Sequence, residues 1–271
     1  RLHMNLEQML QYFKSSERIM GNITKWVEIP AREAVLCDFP DCIDERIINA
    51  LKSRGIYRLY SHQASAINEV EKGRNIVVVT PTASGKTMCY NIPVLNSILK
   101  NQESRAIFLF PTKALSQDQM TELHELITEA GVDVKTFTYD GDTPQSARKA
   151  IRQAGHIVVT NPDMLHNGIL PHHTKWTKLF ENLKYVVIDE IHHYRGVFGS
   201  HLANVIRRLR RICNFYGSNP QFICCSATIA NPVELAEKII GDQVALIDNN
   251  GAPSGEKHII FYNPPVVNKE L

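Results

Sequence analysis

The run Asn75-Ile-Val-Val-Val-Thr-Pro-Thr-Ala-Ser-Gly-Lys-Thr87 constrains this chain more than any other stretch. Ile76 to Val79 are four β-branched residues without a polar group, which reads as a strand buried on both faces. A small, flexible turn follows, and Lys86-Thr87 then opens a helix. Such a turn points successive backbone N–H groups inward with a helix N-terminus behind them, an arrangement that holds polyphosphate oxygens. In this reading Thr82, Ala83, Ser84, Gly85, Lys86 and Thr87 form the cradle. Lys86 reaches the β/γ-phosphates and the Thr87 hydroxyl ligates Mg²⁺. The strict pattern G-x-x-x-x-G-K-[ST] wants glycine where this chain has Thr80, and it keeps only Gly85. The strand-turn-helix context favours phosphate binding over an ordinary βα turn, and the missing glycine predicts a loop wider than a small kinase's.

The 271 residues are 44% hydrophobic and 21% charged, enough to build a full core in one large domain or two small ones. A net charge of +2 advertises no global affinity for nucleic acid, so any such surface is a local strip. No apolar run approaches the ~20 residues of a membrane span and no signal peptide opens the sequence, from which a cytoplasmic address without a membrane partner is expected. The six cysteines show no C-x-x-C pairing, so buried reduced thiols are expected rather than zinc ligands or disulfides. Arg1 to His3 look like a cloning remnant before Met4.

Leu6, Met9, Leu10 and Phe13 recur at helical spacing and predict a short packing helix. Gly21 to Pro40 reads as extended, and Ile43 to Ser53 as a second helix stopped near Gly55. Leu59-Tyr-Ser-His-Gln63 precedes a helix ending near Gly73. Gln63 can pair with adenine N6 and N7, or serve as a surface residue at a helix start. Beyond the loop the pattern alternates strand and helix, with apolar strands at Arg105 to Phe110, Val134 to Tyr139, His156 to Thr160, Lys184 to Ile188, Gln221 to Cys225 and Gln243 to Ile247. Repeated βα units of this kind predict an α/β fold: a mostly parallel sheet with helices on both faces and its functional turns at the strands' carboxyl ends. The tail is turn-rich around one strand-like run, His258 to Tyr262.

Tyr185-Val-Val-Ile-Asp-Glu-Ile-His192 delivers two acids at the end of a buried strand. At the edge that also carries the phosphate loop, Asp189 is placed to hold Mg²⁺ and Glu190 to polarise an attacking water. A plain helix cap is the alternative. Ser226-Ala-Thr228 ends another strand, where hydroxyls can bond to the acids or to His192. Arg207-Arg-Leu-Arg-Arg211 fits a DNA contact or a solvated face equally well. His172, His173, His192 and His193 lack ligand spacing, so zinc is not expected.

In this order the elements resemble a helicase motor. Thr80 to Thr87, Asp189-Glu-Ile-His192 and Ser226-Ala-Thr228 resemble motifs I, II and III of superfamily 2 helicases of the DEAD/DEAH-box group. Pro111-Thr-Lys-Ala-Leu115 resembles motif Ia, and Thr160-Asn-Pro-Asp-Met164 resembles motif Ib. Further stretches, Leu59 to Gln63, Thr138 to Thr143, Leu170 to Trp176, His193 to His201 and Phe261 to Pro265, are similar to the bacterial YprA-type helicases, the mitomycin repair factor A family. The resemblance covers nearly the whole chain from about Met4. It implies a RecA-like P-loop fold and an ATP-driven 3′→5′ DNA helicase acting in excision of bulky or cross-linked lesions, with room for a nuclease partner. Carried over by residue, Gln63 sits near the adenine, and Lys86, Thr87, Asp189 and Glu190 bind and hydrolyse ATP·Mg²⁺. His192, Ser226 and Thr228 couple the site to strand movement, and Thr112, Lys113, Thr160 and Asn161 grip the phosphates of one strand.

Nothing after Ser226-Ala-Thr resembles motifs IV to VI or the family's cysteine-rich C-terminal region. The expected organisation is therefore an N-terminal extension over 1–58, an ATP-binding lobe over 59–250, and a linker over 251–271 towards a second lobe. That lobe would supply an arginine worth ~10³ to 10⁵ in turnover. By itself this chain is expected to bind ATP·Mg²⁺ weakly, to turn it over slowly and not to unwind a duplex. A nucleotide-gated binding module without turnover and an RNA helicase lobe are the competing readings.

Overall fold

The computed structural model describes residues 4–81 and 85–265. Contacts divide the chain into two units, one built from the residues up to Ala34 together with those from Pro253 onward, the other from Val35–Ala252.

In the smaller unit, helix α1 (Leu6–Ser15) opens on a reciprocal cap: the Asn5 side chain accepts from the Gln8 N–H, and the Gln8 side chain accepts from the Asn5 N–H. Helix α2 (Glu17–Met20) follows, then strand β1 (Ile23–Ile29), which pairs antiparallel with Lys257–Tyr262. Trp26 Nε1 donates to His258 Nδ1 at 3.0 Å, and the Lys14 ammonium lies 5.3 Å from the Trp26 ring centroid. The tail after Gly251 reads locally as a linker, yet its strand-like run is one half of this ribbon. The pairing joins residues far apart in sequence, which local pattern does not report.

In the larger unit a short ribbon pairs β2 (Leu36–Cys37) with β3 (Leu59–Tyr60). Between them helix α3 (Glu45–Ser53) sends Ile47, Ala50 and Leu51 into the core, so a segment that reads as part of an extension is a core element here. Helix α4 (Ser61–Glu71) leads into β4 (Ile76–Val79), followed by α5 (Lys86–Lys100), β5 (Arg105–Leu109), α6 (Lys113–Ala130), β6 (Thr136–Thr138), α7 (Gln145–Ala154) and β7 (Ile157–Thr160). Then come β8 (Leu183–Ile188), the helix Val197–Tyr216, β9 (Gln221–Ser226), the helix Pro232–Ile240 and β10 (Ala245–Ile247). The sheet has seven strands in the order β10-β4-β9-β8-β5-β7-β6, and every pairing in it is parallel.

Two cores cover the two faces. Ile76, Val78, Phe108, Val187 and Ile223 face one, and Val77, Val79, Ile107, Val186 and Phe222 face the other. Both sets are apolar, which is why these strands show no alternation in the sequence. Burial of each such side chain stabilises by roughly 1.5–3 kcal/mol, so β4 is clamped from both sides and its carboxyl end is a fixed platform. Its amino end is pinned by Asn75, whose Oδ1 accepts from Phe222 N at 2.9 Å and whose Nδ2 donates to Gln243 O at 3.1 Å. Among the described residues no helix is long and apolar enough to cross a membrane. The six cysteines are free thiols, four of them buried.

Candidate functional site

Because β9 lies between β4 and β8, the carboxyl ends of these three strands stand side by side, with Val79 paired to Ser226 and Ile188 to Cys224. Everything that reads as phosphate chemistry leaves the sheet there. Lys86, the first residue of α5, donates from Nζ to the carbonyls of Ser226 at 3.1 Å and Thr80 at 3.4 Å. Its ammonium is thus held over the junction of β4 and β9. Thr82, Ala83 and Ser84, and with them the expected loop width, lie outside the described residues.

Gly85 caps α5 with φ +72°, and a Cβ there would collide with Gln63 Nε2. The contact exists because Gln63, only 3% exposed, spends its amide on the loop. Nε2 donates to Gly85 O at 3.1 Å, and Oε1 accepts from Tyr60 N at 3.0 Å. The structure therefore places Gln63 against the phosphate loop as a brace. Gly85→Ala is expected to lower stability by about 1–3 kcal/mol, from left-handed strain and loss of this brace, measured as the midpoint of thermal or urea unfolding.

The acids follow β8. Asp189 is 4% exposed; Tyr90, from α5, donates to its Oδ2 at 2.9 Å, and Glu190 N donates to its Oδ1 at 2.8 Å. Burial pushes the Asp189 carboxyl up to about 6, while the Tyr90 hydrogen bond and the Lys86 ammonium pull the other way. Glu190 is left-handed at φ 54°, the one non-glycine with positive φ among the described residues. That conformation costs about 1–2 kcal/mol and turns the chain sharply out of the strand.

His192 receives both ends of a short chain of contacts. Its Nε2 lies 2.8 Å from Glu190 Oε2, and its Nδ1 accepts from Ala227 N at 3.1 Å. An accepting Nδ1 puts the ring proton on Nε2, which donates to Glu190. Burial holds the imidazole below its usual range, against the pull of Glu190. Coupling through the hydroxyls of Ser226 and Thr228 is the sequence expectation. What reaches His192 is the backbone N–H of Ala227 between them, while Ser226 Oγ donates to Ala227 O at 2.7 Å. Ligand atoms of Glu190, His192 and His193 lie within 4.8 Å of one another; both His192 nitrogens are engaged, so Glu190, His192 and Ala227 N form a hydrogen-bonded relay, and the His193 ring lies beside the His192 ring.

At the neighbouring edge β5 and β7 bring the other predicted residues together. A cavity of about 470 Å³ is lined by Thr112, Asn161, Asp163, His193, Tyr194 and Phe198, among others. Thr112 Oγ1 caps α6, accepting from Leu115 N, and Asn161 Oδ1 accepts from Met164 N. Lys113 is paired with Asp142 at 2.8 Å, and Thr160, 5% exposed, donates to Tyr139 O at 2.7 Å. The two helix starts open on the cavity, whereas the Thr160 side chain is spent inside the fold. The basic run divides in the same way. Arg208 donates to His166, and Arg210 donates to Ile240 O and lies over the Phe222 ring, leaving Arg207 and Arg211 exposed.

Three residues at or beside the phosphate cleft, Tyr90, Gln119 and Glu122, are not singled out by the sequence. Its lining is Gly85, Lys86, Thr87, Gln119, Glu122, Asp189 and Glu190, and the Thr87 hydroxyl donates to Glu122. Tyr90 was legible in principle, as a hydroxyl one turn after Thr87 in an apolar helix. Gln119 and Glu122 carried no local signal, since only the packing of α6 beside α5 brings them there.

Residues 60–236 match the DEAD/DEAH box helicase family. The chain is 62% identical over 267 residues to the Bacillus subtilis "Uncharacterized ATP-dependent helicase YprA", covering 98% of this chain and 35% of that protein. It is 41% identical over 270 residues to the Schizosaccharomyces pombe ATP-dependent helicase hrq1, covering 97% of this chain and 25% of that one. The chain thus spans about a third or less of the length of these relatives. A crystal structure of the DUF1998 helicase MrfA bound to DNA and AMPPNP superposes with a TM-score of 0.94 at 62% identity, over 98% of this chain and 37% of that one. The parallel sheet is RecA-like, as the sequence predicts. With its phosphate loop, Asp-Glu-Ile-His box and Ser-Ala-Thr strand end on three neighbouring strands, this chain belongs to the DEAD/DEAH box helicase family.

Proposed function

We propose that this chain is the ATP-binding lobe of an ATP-dependent DNA helicase. The carrying observation is the meeting of Lys86, the two acids and the Ser226 strand end at the carboxyl ends of β4, β8 and β9. In this reading Lys86 exchanges its two carbonyl partners for β/γ-phosphate oxygens. The cleft fits Mg²⁺: its donors are hard oxygens, and Lys86 is its only cation among the described lining residues. Thr87 and Asp189 would hold the ion, which supplies charge neutralisation between the phosphates. Glu190 orients the water and takes its proton, and the His192 Nε2–H keeps that carboxylate in place. The relay through Ala227 joins the acids to β9, which also presents Ser226 O to Lys86, so loss of the γ-phosphate is felt along one strand. Gln63 braces the loop from the adenine side.

The DNA surface is assigned to the helix starts at Thr112 and Asn161, with Lys113 beside them, because N-terminal N–H groups grip phosphates without reading sequence. The MrfA structure bound to DNA and AMPPNP supports both ligands for this lobe. The 3′→5′ polarity, the role in repair, the nuclease partner and the cytoplasmic address rest on the YprA-type resemblance. On the same resemblance we assign this chain an ATP-binding lobe that takes a charge-stabilising arginine from a second lobe.

The deciding experiment is Mg²⁺-dependent binding and hydrolysis of ATP by this chain, with and without single-stranded DNA, beside Lys86→Ala. Binding that depends on Lys86, with slow turnover, is the expected result. Turnover that DNA stimulates strongly and Lys86→Ala abolishes would remove the need for a second lobe. Stronger competition by RNA than by DNA of the same sequence would overturn the DNA assignment.

A further inference from the structure

Thr87 and Tyr90 stand one turn apart on α5, and each hydroxyl is donated to a different carboxylate. Tyr90 bonds to Asp189 at the end of β8, and Thr87 bonds to Glu122 of α6. Glu122 therefore enters the cleft from an element that belongs to neither the phosphate loop nor the acid pair. It is exposed on α6, whose core contacts are made by Ser116, Met120, Leu123 and Leu126, so its carboxylate is not needed to hold the helix in place.

The lining carries three carboxylates, Glu122, Asp189 and Glu190, against one ammonium, Lys86. With all four ionised the cleft bears a net −2, before any phosphate enters. That field opposes a polyphosphate, and a cation that offsets it favours binding. The hydroxyl geometry adds a direction to this demand. A threonine that ligates a cation uses an oxygen lone pair, and its proton must be accepted elsewhere. Glu122 accepts that proton, which leaves the lone pairs of Thr87 free.

We propose that Glu122 is a positioning residue for the cation of this cleft. It fixes the Thr87 hydroxyl with its lone pairs available to Mg²⁺ and contributes a third negative charge that raises cation affinity. The inference rests on the ATP·Mg²⁺ reading above and assigns Glu122 no contact with the reacting phosphate. Partners that orient a metal ligand in this way are typically worth about 10- to 100-fold in metal affinity.

The test is a Mg²⁺ titration of the binding of a fluorescent ATP analogue by this chain and by Glu122→Ala, Glu122→Gln and Lys86→Ala, each checked for an unchanged thermal midpoint. Glu122→Ala is expected to raise the Mg²⁺ concentration at half-saturation by about tenfold or more, with nucleotide affinity at saturating Mg²⁺ unchanged. Glu122→Gln, whose carbonyl oxygen still accepts from Thr87, is expected to recover part of that shift. A midpoint equal to or below the wild type in Glu122→Ala would overturn the proposal, the lower value meaning that the carboxylate obstructs the ion. Identical behaviour of the Ala and Gln variants would overturn the hydrogen-bond role. Lys86→Ala separates the two levels: nucleotide binding that survives it intact removes the ATP site itself, whatever Glu122 does.

Discussion

Asp189→Asn is expected to stabilise the nucleotide-free chain at neutral pH while removing its Mg²⁺-dependent nucleotide binding. The carboxyl is raised from 3.8 to about 6 by burial at the end of β8. A group whose pKa is higher folded than unfolded gives stability that is complete below the unfolded value and lost as pH rises through the folded one. For Asp189 that window runs from about pH 4 to about 6. Above it the ionised side chain costs on the order of 3 kcal/mol, from the displacement of its pKa. Asparagine is close to isosteric. Its Oδ1 keeps the Glu190 N–H, and its Nδ2 donates to a Tyr90 hydroxyl turned from donor to acceptor. Urea unfolding at pH 7.5 should show a gain of about 1–3 kcal/mol that fades towards pH 4. No gain at pH 7.5 would show that the buried carboxylate is already compensated. In the unmutated chain, Mg²⁺-dependent binding should weaken as pH falls below about 6, because the protonated acid no longer ligates.

Lys86→Ala acts in the opposite sense, on affinity rather than on stability. Truncating one partner of a hydrogen-bonded charge pair costs about 2–5 kcal/mol, or about 30-fold and upward in dissociation constant. Its two carbonyl contacts, at 3.1 and 3.4 Å, lie in a part-buried cleft where water replaces the ammonium, so unfolding free energy should change by about 1 kcal/mol or less. Calorimetry with a non-hydrolysable ATP analogue reads the first number and urea unfolding the second. A large loss of stability with little change in affinity would recast Lys86 as a structural tie between β4 and β9. The ammonium also holds the Asp189 pKa down, so the pH below which a residual Mg²⁺ effect disappears should rise in this variant.

Much of the larger unit is readable from local pattern. Apolar runs from Ile76 to Val79 and from Tyr185 to Ile188 carry their own assignment, because a strand buried on both faces has no room for polar residues. Gly85 and Lys86 are legible as a turn and a helix start after the first buried strand, and the structure puts them there. Strand order was not readable. That β9 stands between β4 and β8 follows from long-range packing, and with it comes the contact of Lys86 with Ser226. Side-chain destinations were read least well. Gln63 suggests either an adenine contact or a surface helix start, and the structure buries it against the loop; Thr160 suggests a phosphate contact and is hydrogen-bonded inside the fold. The ribbon of Ile23–Ile29 with Lys257–Tyr262 was invisible for the same reason, since neither strand contains a sign of the other.

The junction between the phosphate and acid sides of the cleft is made of peptide groups. Ser226 offers a carbonyl to Lys86, and Ala227 offers an N–H to His192. Each contact joins a peptide group to a side chain across the cleft, so Lys86→Ala or His192→Ala cuts one arm of the splice whereas Ser226→Ala removes neither, and drift at position 227 among residues that keep an amide proton leaves it standing. Its geometry is set by how firmly β9 is seated between its neighbours, and the hydrophobic residues that seat it, Phe222 and Ile223, hold both peptide groups in place from a distance.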